Sequence, residues 1–377
     1  MNTHVFVVDS TTFKYHLEYK FAGTGAGEKQ APFLLNSNIS FPATTERMLV
    51  GMVADISRIR IGDNVIFYLQ SHNGAPGMFY GIFRVESEPF FDENNTSNYL
   101  KNELGKGLSF RILISGSQVY RKGVTEHEYL DSLQGKNHPS DLCWSLIYRK
   151  LKGNRGCTMI MDYEYEDLKR KLDKKNEGLV LKSTNFTFNS TLKEIEPDNL
   201  VHNYLGVQNE INILNRLIYK SDRNNAFETH LQAYLTKNLD KASYRNLLLP
   251  LPNNCAWIGN EVSCGVGMQR IDLMIKQETE TDVFIKLIEL KDEFPYTAIV
   301  DYQITWYLEW LSYYVVPQYR EKAIHIIPTI IAKGALSSIL KTHFEHFNFN
   351  INNVDVRPLE YIGFNIEENN VILTKHL

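Results

Sequence analysis

The chain has 377 residues, 43% of them apolar and 22% charged, which is enough to bury a substantial core and to form two ordinary domains. No stretch approaches the roughly 20 apolar residues of a membrane span, and the opening MNTHVFVVDS lacks the charged and apolar regions of a secretory signal, so a cytoplasmic protein without a membrane partner is expected. A net charge of −4 and a pI near 6.3 argue against a protein that coats nucleic acid by bulk electrostatics.

The first part of the chain reads as strands, HVFVVDS, DNVIFYLQ, MFYGIFRVES and LSFRILISGS, separated by Gly, Asn and Pro turns. Their spacing predicts a small β-barrel or curled sheet. Helical pattern over 126–133, 141–152 and 163–172 makes this first domain α+β. Two basic runs interrupt it. Arg149, Lys150, Lys152 and Arg155, interleaved with Trp144 and Tyr148, either touch a DNA backbone or form a solvated face, and Lys169, Arg170, Lys171, Lys174 and Lys175 pose the same choice at a helix end. The polar run 173–199 reads as a linker and 207–219 as a connecting helix, so the expected division is 1–172, 173–223 and 224–377. Cys143, Cys157, Cys255 and Cys264 are too few and too widely spaced for a disulfide framework or a zinc site.

From Asn224 the order is helix, strand, strand, helix, strand, helix, strand, an α/β pattern. Asn225 is the expected cap of a helix carrying Phe227, Leu231, Tyr234, Leu235 and Leu239 at helical spacing. In RIDLMIKQETETDVFIKLIELK the polar run from Glu278 to Asp282 lies midway between Asp272 and Glu289. Folding a hairpin there sets the two carboxylates opposite each other. Alternate residues of a strand share a face, so Lys291 joins Glu289. Two acids and a lysine at the mouth of apolar strands carry several kcal/mol of desolvation that a divalent metal with a phosphate would offset. Asp272 and Glu289 offer the oxygen ligands that Mg²⁺ requires. Lys291 is placed to orient the attacking water or to neutralise charge on the scissile phosphate. Glu228 shares the inward face of its helix with Leu231 and Leu235, and Gln303, Tyr307 and Trp310 fall on one stripe at i, i+4 and i+7. The blander reading of that stripe is an aromatic core face. IHIIPTIIA then reads as a buried strand, and VDVRPLEYIGF as a late strand that Pro358 restricts to an edge or bulge.

At these residues the chain resembles the PD-(D/E)xK nuclease superfamily: Glu228, the strand GMQRIDLMI with Asp272, the IELK motif, and Gln303 with Tyr307 in the QxxxY arrangement of RecB-like members. Ile271 stands where the family name has proline. The resemblance covers roughly the last 150 residues. It implies a restriction-endonuclease-like mixed sheet flanked by helices and Mg²⁺-dependent phosphodiester hydrolysis, with Mn²⁺ as a substitute. Asp272 and Glu289 are the implied metal ligands, Lys291 the water or phosphate residue, and Glu228 and Gln303 supporting residues.

Three N-terminal segments, IRIGDNVIFYLQ, MFYGIFRVESEPFFD and LSFRILIS, resemble the EVE branch of the PUA-like fold. That likeness implies a PUA-like β-barrel with helices and a reader that takes a modified base between aromatic walls. Phe41, Tyr68, Tyr80 and Trp144 are the candidate wall residues, with Ser71 and Asn73 as polar contacts, while Phe67, Phe79 and Phe83 are expected in the core. The two resemblances together predict a homodimeric endonuclease acting on double-stranded DNA with modified cytosine, in restriction or phage defence. A nuclease indifferent to modification and a non-enzymatic reader are the alternatives.

Overall fold

The computed structural model describes residues 1–25, 31–72, 74–93, 98–131, 156–265, 269–367 and 370–377. Trp144, the basic run Arg149, Lys150, Lys152 and Arg155, the helix expected over 141–152, Asn73 and Cys143 lie outside them. The chain forms two compact units. Of the described residues, one holds those up to Ile211 apart from Phe33–Ser40, and the other holds Phe33–Ser40 with Asn212–Leu377. No helix among the described residues is long and apolar enough to cross a membrane.

In the first unit the strands are β1 (Thr3–Val8), β2 (Phe21–Thr24), β3 (Asn64–Leu69), β4 (Met78–Val85), β5 (Phe90–Phe91), β6 (Phe110–Gly116), β7 (Val124–Thr125), β8 (Cys157–Ile160), β9 (Phe186–Asn189), β10 (Glu194–Pro197) and β11 (Asn209–Glu210). The main sheet runs β11-β5-β6-β4-β3-β1-β8, with β2 beside β6 and β7 beside β4. It curls because β6 changes partner along one edge: Phe110–Leu113 lies between β2 and β5, and Ile114–Gly116 turns to pair with β4. Among the described residues the path does not close on itself, which is the curled-sheet form of the expected barrel or curled sheet.

Two helices of this unit escape the strand-only reading of its first residues. Ser10–Glu18 starts from a capping box, with Asp9 Oδ1 accepting from Thr12 N at 2.8 Å and Thr12 Oγ1 from Asp9 N at 3.0 Å. Ala43–Ser57 follows Pro42 and buries Leu49, Met52, Val53 and Ile56, spaced i, i+3, i+4 and i+7.

The expected linker is folded. Period-two alternation in FTFN and EIEP puts Phe186, Phe188 and Ile195 on one buried face of the β9–β10 hairpin, with Phe188 opposite Ile195. Gly116 makes room for it, since a Cβ there would lie 2.7 Å from the Phe186 ring. Polar composition concealed a strand pair whose buried half is aromatic. The division between the units falls at 211/212, inside the 173–223 stretch expected to connect the two domains.

In the second unit the strands are β12 (Trp257–Ser263), β13 (Arg270–Glu278), β14 (Asp282–Leu290), β15 (Ala323–Lys333), β16 (Val354–Val356), β17 (Glu360–Glu367) and β18 (Asn370–Lys375). They form one mixed sheet in the order β12-β13-β14-β15-β17-β18, with β16 beside the first half of β15. β12–β13–β14 are antiparallel, β14–β15–β17 parallel, and β17–β18 antiparallel. Helices Glu228–Asn238, Ala242–Leu248, Thr305–Tyr314 and Ser338–Glu345 accompany it. Ile285, Leu287, Ile288 and Leu290 are fully buried, each stabilising the fold by about 1.5–3 kcal/mol relative to exposure. Pro358 splits the expected late strand into β16 and β17. β17 lies between β15 and β18, so it is not the edge strand that a proline within it would require.

Candidate active site

The β13–β14 ladder pairs Leu273 with Ile288 and Glu278 with Val283, the register that brings Asp272 opposite Glu289. On its other side β13 pairs with β12, where Val262↔Ile271 and Asn260↔Leu273 bracket Glu261 against Asp272. Glu261, Asp272 and Glu289 thus form a row across three strands. The sequence reading contained no β12 and so missed Glu261, although the alternating WIGNEVS ahead of Gly265 was a signal for it.

Lys291 follows the end of β14, its backbone N–H bonding the Ile331 carbonyl at 2.9 Å. Its Nζ lies 2.6 Å from Glu289 Oε1, 2.9 Å from the Leu290 carbonyl and 3.4 Å from Glu228 Oε2. Asp272 Oδ2 accepts the Leu290 N–H at 2.7 Å. The Tyr307 hydroxyl stands 2.8 Å from both Glu289 Oε2 and the Arg270 carbonyl, so this phenol, for which a plain core role was the blander reading, touches the site. The Gln303 side chain makes no hydrogen bond among the described residues. It sits in a π-helical turn, Ile299–Ile304, which breaks the 3.6-residue repeat on which the shared stripe with Tyr307 rests.

The Glu228 helix is aimed by a residue that the sequence reading passed over. Asp292, next after Lys291, accepts the backbone N–H groups of Phe227 at 2.5 Å and Glu228 at 3.1 Å. The cap is therefore Asp292 and not Asn225. One turn into the helix, Gln232 Nε2 donates to the Asp272 carbonyl at 2.8 Å and lies 3.4 Å from Glu261 Oε1. Arg270 pairs with Glu261.

Four carboxylates, Glu228, Glu261, Asp272 and Glu289, face two cationic side chains, Arg270 and Lys291, which leaves two negative charges when all are ionised. Burial, then Glu289, Glu228 and Glu261, outweigh Lys291 and hold the Asp272 carboxyl well above the usual carboxylate range. Burial also raises Glu228, with Lys291 opposing and Glu289 and Asp292 reinforcing. For Lys291, burial pulls the pKa down, but Glu289, Glu228 and Asp272 more than reverse it and the ammonium is held firmly charged. A divalent cation would cancel the surplus. Among the described residues no three His, Cys, Asp or Glu side chains are grouped as ligands for one ion. Asp272 and Glu289 fit as the two protein ligands of a hard cation that keeps water and phosphate in its other positions.

Of the base-recognition candidates, Trp144 lies outside the described residues, and Tyr80 and Tyr68 pack against other aromatic rings. Tyr80 is fully buried, its ring 5.1 Å from Phe13 and 5.6 Å from Phe188, its hydroxyl bonded to the Lys193 carbonyl at 2.7 Å. It is a core residue, because the β9–β10 hairpin covers the face on which it would have been a wall. Tyr68 packs at 4.9 Å against Phe79 and gives its hydroxyl to Glu126 at 2.6 Å. Phe41 is half-buried ahead of helix Ala43–Ser57, and Ser71 is exposed. Phe67, Phe79 and Phe83 are in the core as expected. Of the second basic run, Lys175 is paired with Glu128 at 2.7 Å and Arg170 with Asp167 at 2.9 Å.

No family model matches the chain, and no curated protein does. Among solved structures it is similar to a hypothetical protein from Leishmania major, at 10% identity over 46% of this chain and 96% of that one, with a TM-score of 0.29. It is also similar to human THYN1 solved with DNA containing 5-methylcytosine, at 8% identity over 46% and 98%, TM-score 0.27. A third is Rpa0253 from Rhodopseudomonas palustris, at 10% identity over 46% and 94%, TM-score 0.27. Likenesses at such TM-scores do not establish a shared fold.

Proposed function

We propose that the chain is a Mg²⁺-dependent DNA endonuclease whose C-terminal unit hydrolyses phosphodiester bonds and whose N-terminal unit directs it to DNA carrying a modified cytosine. The observation that carries the catalytic half is the convergence of Glu228, Asp272, Glu289 and Lys291, with Tyr307, on one end of a buried hairpin where carboxylates outnumber cations. A purely structural cluster of this kind would be destabilising without a return. The reading half rests on the EVE resemblance, whose three segments become β3, β4–β5 and β6, strands that are neighbours in one sheet.

Bound at Asp272 and Glu289, a divalent cation would lower the pKa of a coordinated water and draw charge from the phosphate. The chain's own groups do the rest. Lys291 is cationic in this setting, so it acts by neutralising charge that builds on the phosphate oxygens and not as a base that takes a proton. Tyr307 fixes Glu289 against rotation by bridging it to the β13 backbone. Glu228, tied to Lys291 and aimed by Asp292, holds the ammonium over the site. In the hydrolysis, a water oxygen bonds to phosphorus and gives up one proton to solvent as the phosphorus–oxygen bond to the leaving sugar breaks, and that sugar oxygen takes up a proton from solvent. Cutting both strands calls for two such sites, hence a homodimer.

The test is cleavage of matched plasmids bearing unmodified, 5-methylated, hydroxymethylated or glucosylated cytosine, with and without Mg²⁺. Mg²⁺-dependent cutting of one modified plasmid, lost in Lys291→Ala and Glu289→Ala, is the expected result. If no plasmid is cut, or if both variants cut like the parent, the catalytic assignment fails. Cutting that ignores modification removes the reader half alone.

A further inference from the structure

One cation of the site has no part in the chemistry above. Arg270 stands two residues before Asp272 on β13, and alternate residues of a strand leave the sheet on the same side, so its guanidinium emerges beside the row of acids. Its backbone is held by the Tyr307 hydroxyl, the same group that lies 2.8 Å from Glu289. Its side chain is 39% exposed, and among the described residues its hydrogen bonds run from Nη1 to Glu261 Oε2 alone.

A guanidinium fork matches ligands that offer two oxygens on one centre, and a carboxylate and a phosphodiester offer the same pair. Glu261 Oε2, on one nitrogen of that fork, therefore stands where one oxygen of a phosphate would bind. Glu261 also has a backbone φ of +51° within β12, the left-handed region that a non-glycine residue seldom adopts and that gathers at ligand-binding positions. The four acids repel a polyanion, so a substrate phosphate needs a cation that faces outward. Lys291 is buried among carboxylates, whereas Arg270 is at the surface.

We propose that Arg270 is the phosphate-binding residue of this site, exchanging the Glu261 carboxylate for two non-bridging oxygens of a nucleic-acid phosphate when substrate enters. This rests on the nuclease reading and adds to it a substrate anchor that competes with an internal stand-in.

The measurement is binding of a short DNA duplex to full-length protein carrying Lys291→Ala, in the absence of metal, across a salt series. Arg270→Ala is expected to weaken binding roughly tenfold and to lower the slope of log K against log salt by about 0.9, one phosphate contact. Glu261→Gln is expected to tighten binding several-fold, because the fork no longer has to leave a carboxylate. Its near-identical shape guards against loss of fold. Arg270→Lys should keep the slope and lose part of the affinity, since an ammonium has no fork. An unchanged slope and affinity in Arg270→Ala, or weaker binding in Glu261→Gln, overturns the assignment. If that happens while the parent still cuts DNA with Mg²⁺, the nuclease reading stands. If the parent neither binds nor cuts any DNA, both fall.

Discussion

Asp272 is the residue on which the site's electrostatics turn. Its oxygen takes the Leu290 N–H, and it lies in a row with Glu261 and Glu289. Its folded-state pKa stands above the unfolded value, so the folded state holds this proton more tightly. Its own contribution to stability is therefore greatest below the ordinary Asp range and is lost as pH rises through the raised pKa. Asp272→Asn keeps an oxygen to accept the Leu290 N–H and removes the charge. We expect it to stabilise the metal-free protein by about 1–3 kcal/mol at neutral pH while abolishing cleavage, checked by urea unfolding in a chelator. A destabilised variant would show that Asp272 is structural. The parent, and not the variant, should gain stability from Mg²⁺. That Asp272, Glu289 and Lys291 meet follows from two local regularities, the turn centre and the period of two. Glu261 arrives through β12, whose alternating WIGNEVS was a weaker signal than the turn and alternation of the β13–β14 hairpin.

At the scale of elements, the cap of the Glu228 helix separates what a local rule sees from what packing provides. Asn225 has the right chemistry three residues ahead of Glu228, yet the N–H groups of Phe227 and Glu228 are taken by Asp292 at the end of the β14 segment. Asp292→Ala should cost about 1 kcal/mol in unfolding free energy and lower kcat through the freed Glu228, whereas Asn225→Ala should change stability by less than about 0.5 kcal/mol. Equal effects from the two would restore the local rule. In the first unit, helix Ser10–Glu18 buries His16, whose Nδ1 meets the Phe21 carbonyl at 2.9 Å. Burial, then Arg111, lowers its pKa to about 3. The imidazole is thus neutral in the fold, while an unfolded chain takes a proton near 6.5. Its contribution is complete above pH 6.5 and is lost as pH falls towards 3. Unfolding midpoints between pH 7 and 4 should decline for the parent and decline less for His16→Gln.

For the whole molecule, the boundary between units carries the clearest consequence. A fragment ending at residue 172 follows the polar composition, but it removes the β9–β10 hairpin and uncovers Phe13 and Tyr80, on which Phe188 packs at 4.7 and 5.6 Å. A fragment ending at Ile211 keeps both. We expect a cooperative thermal transition from 1–211 and none from 1–172. A cooperative transition in the shorter fragment would return the hairpin to the role of a linker.

Alternation, turn chemistry and helical spacing are interactions between residues close in the chain. They are enough to place the β13–β14 hairpin, its register, the three groups at its end and the mixed α/β character of the second unit. The same rules do not state which surfaces meet. Whether Tyr80 is a wall or a core residue, whether a polar run covers a sheet, which carboxylate caps a helix and which acid holds Arg270 were decided by contacts between residues far apart in sequence. Such contacts form because burial rewards total complementarity of faces, a property of the assembled fold and not of any window of the chain.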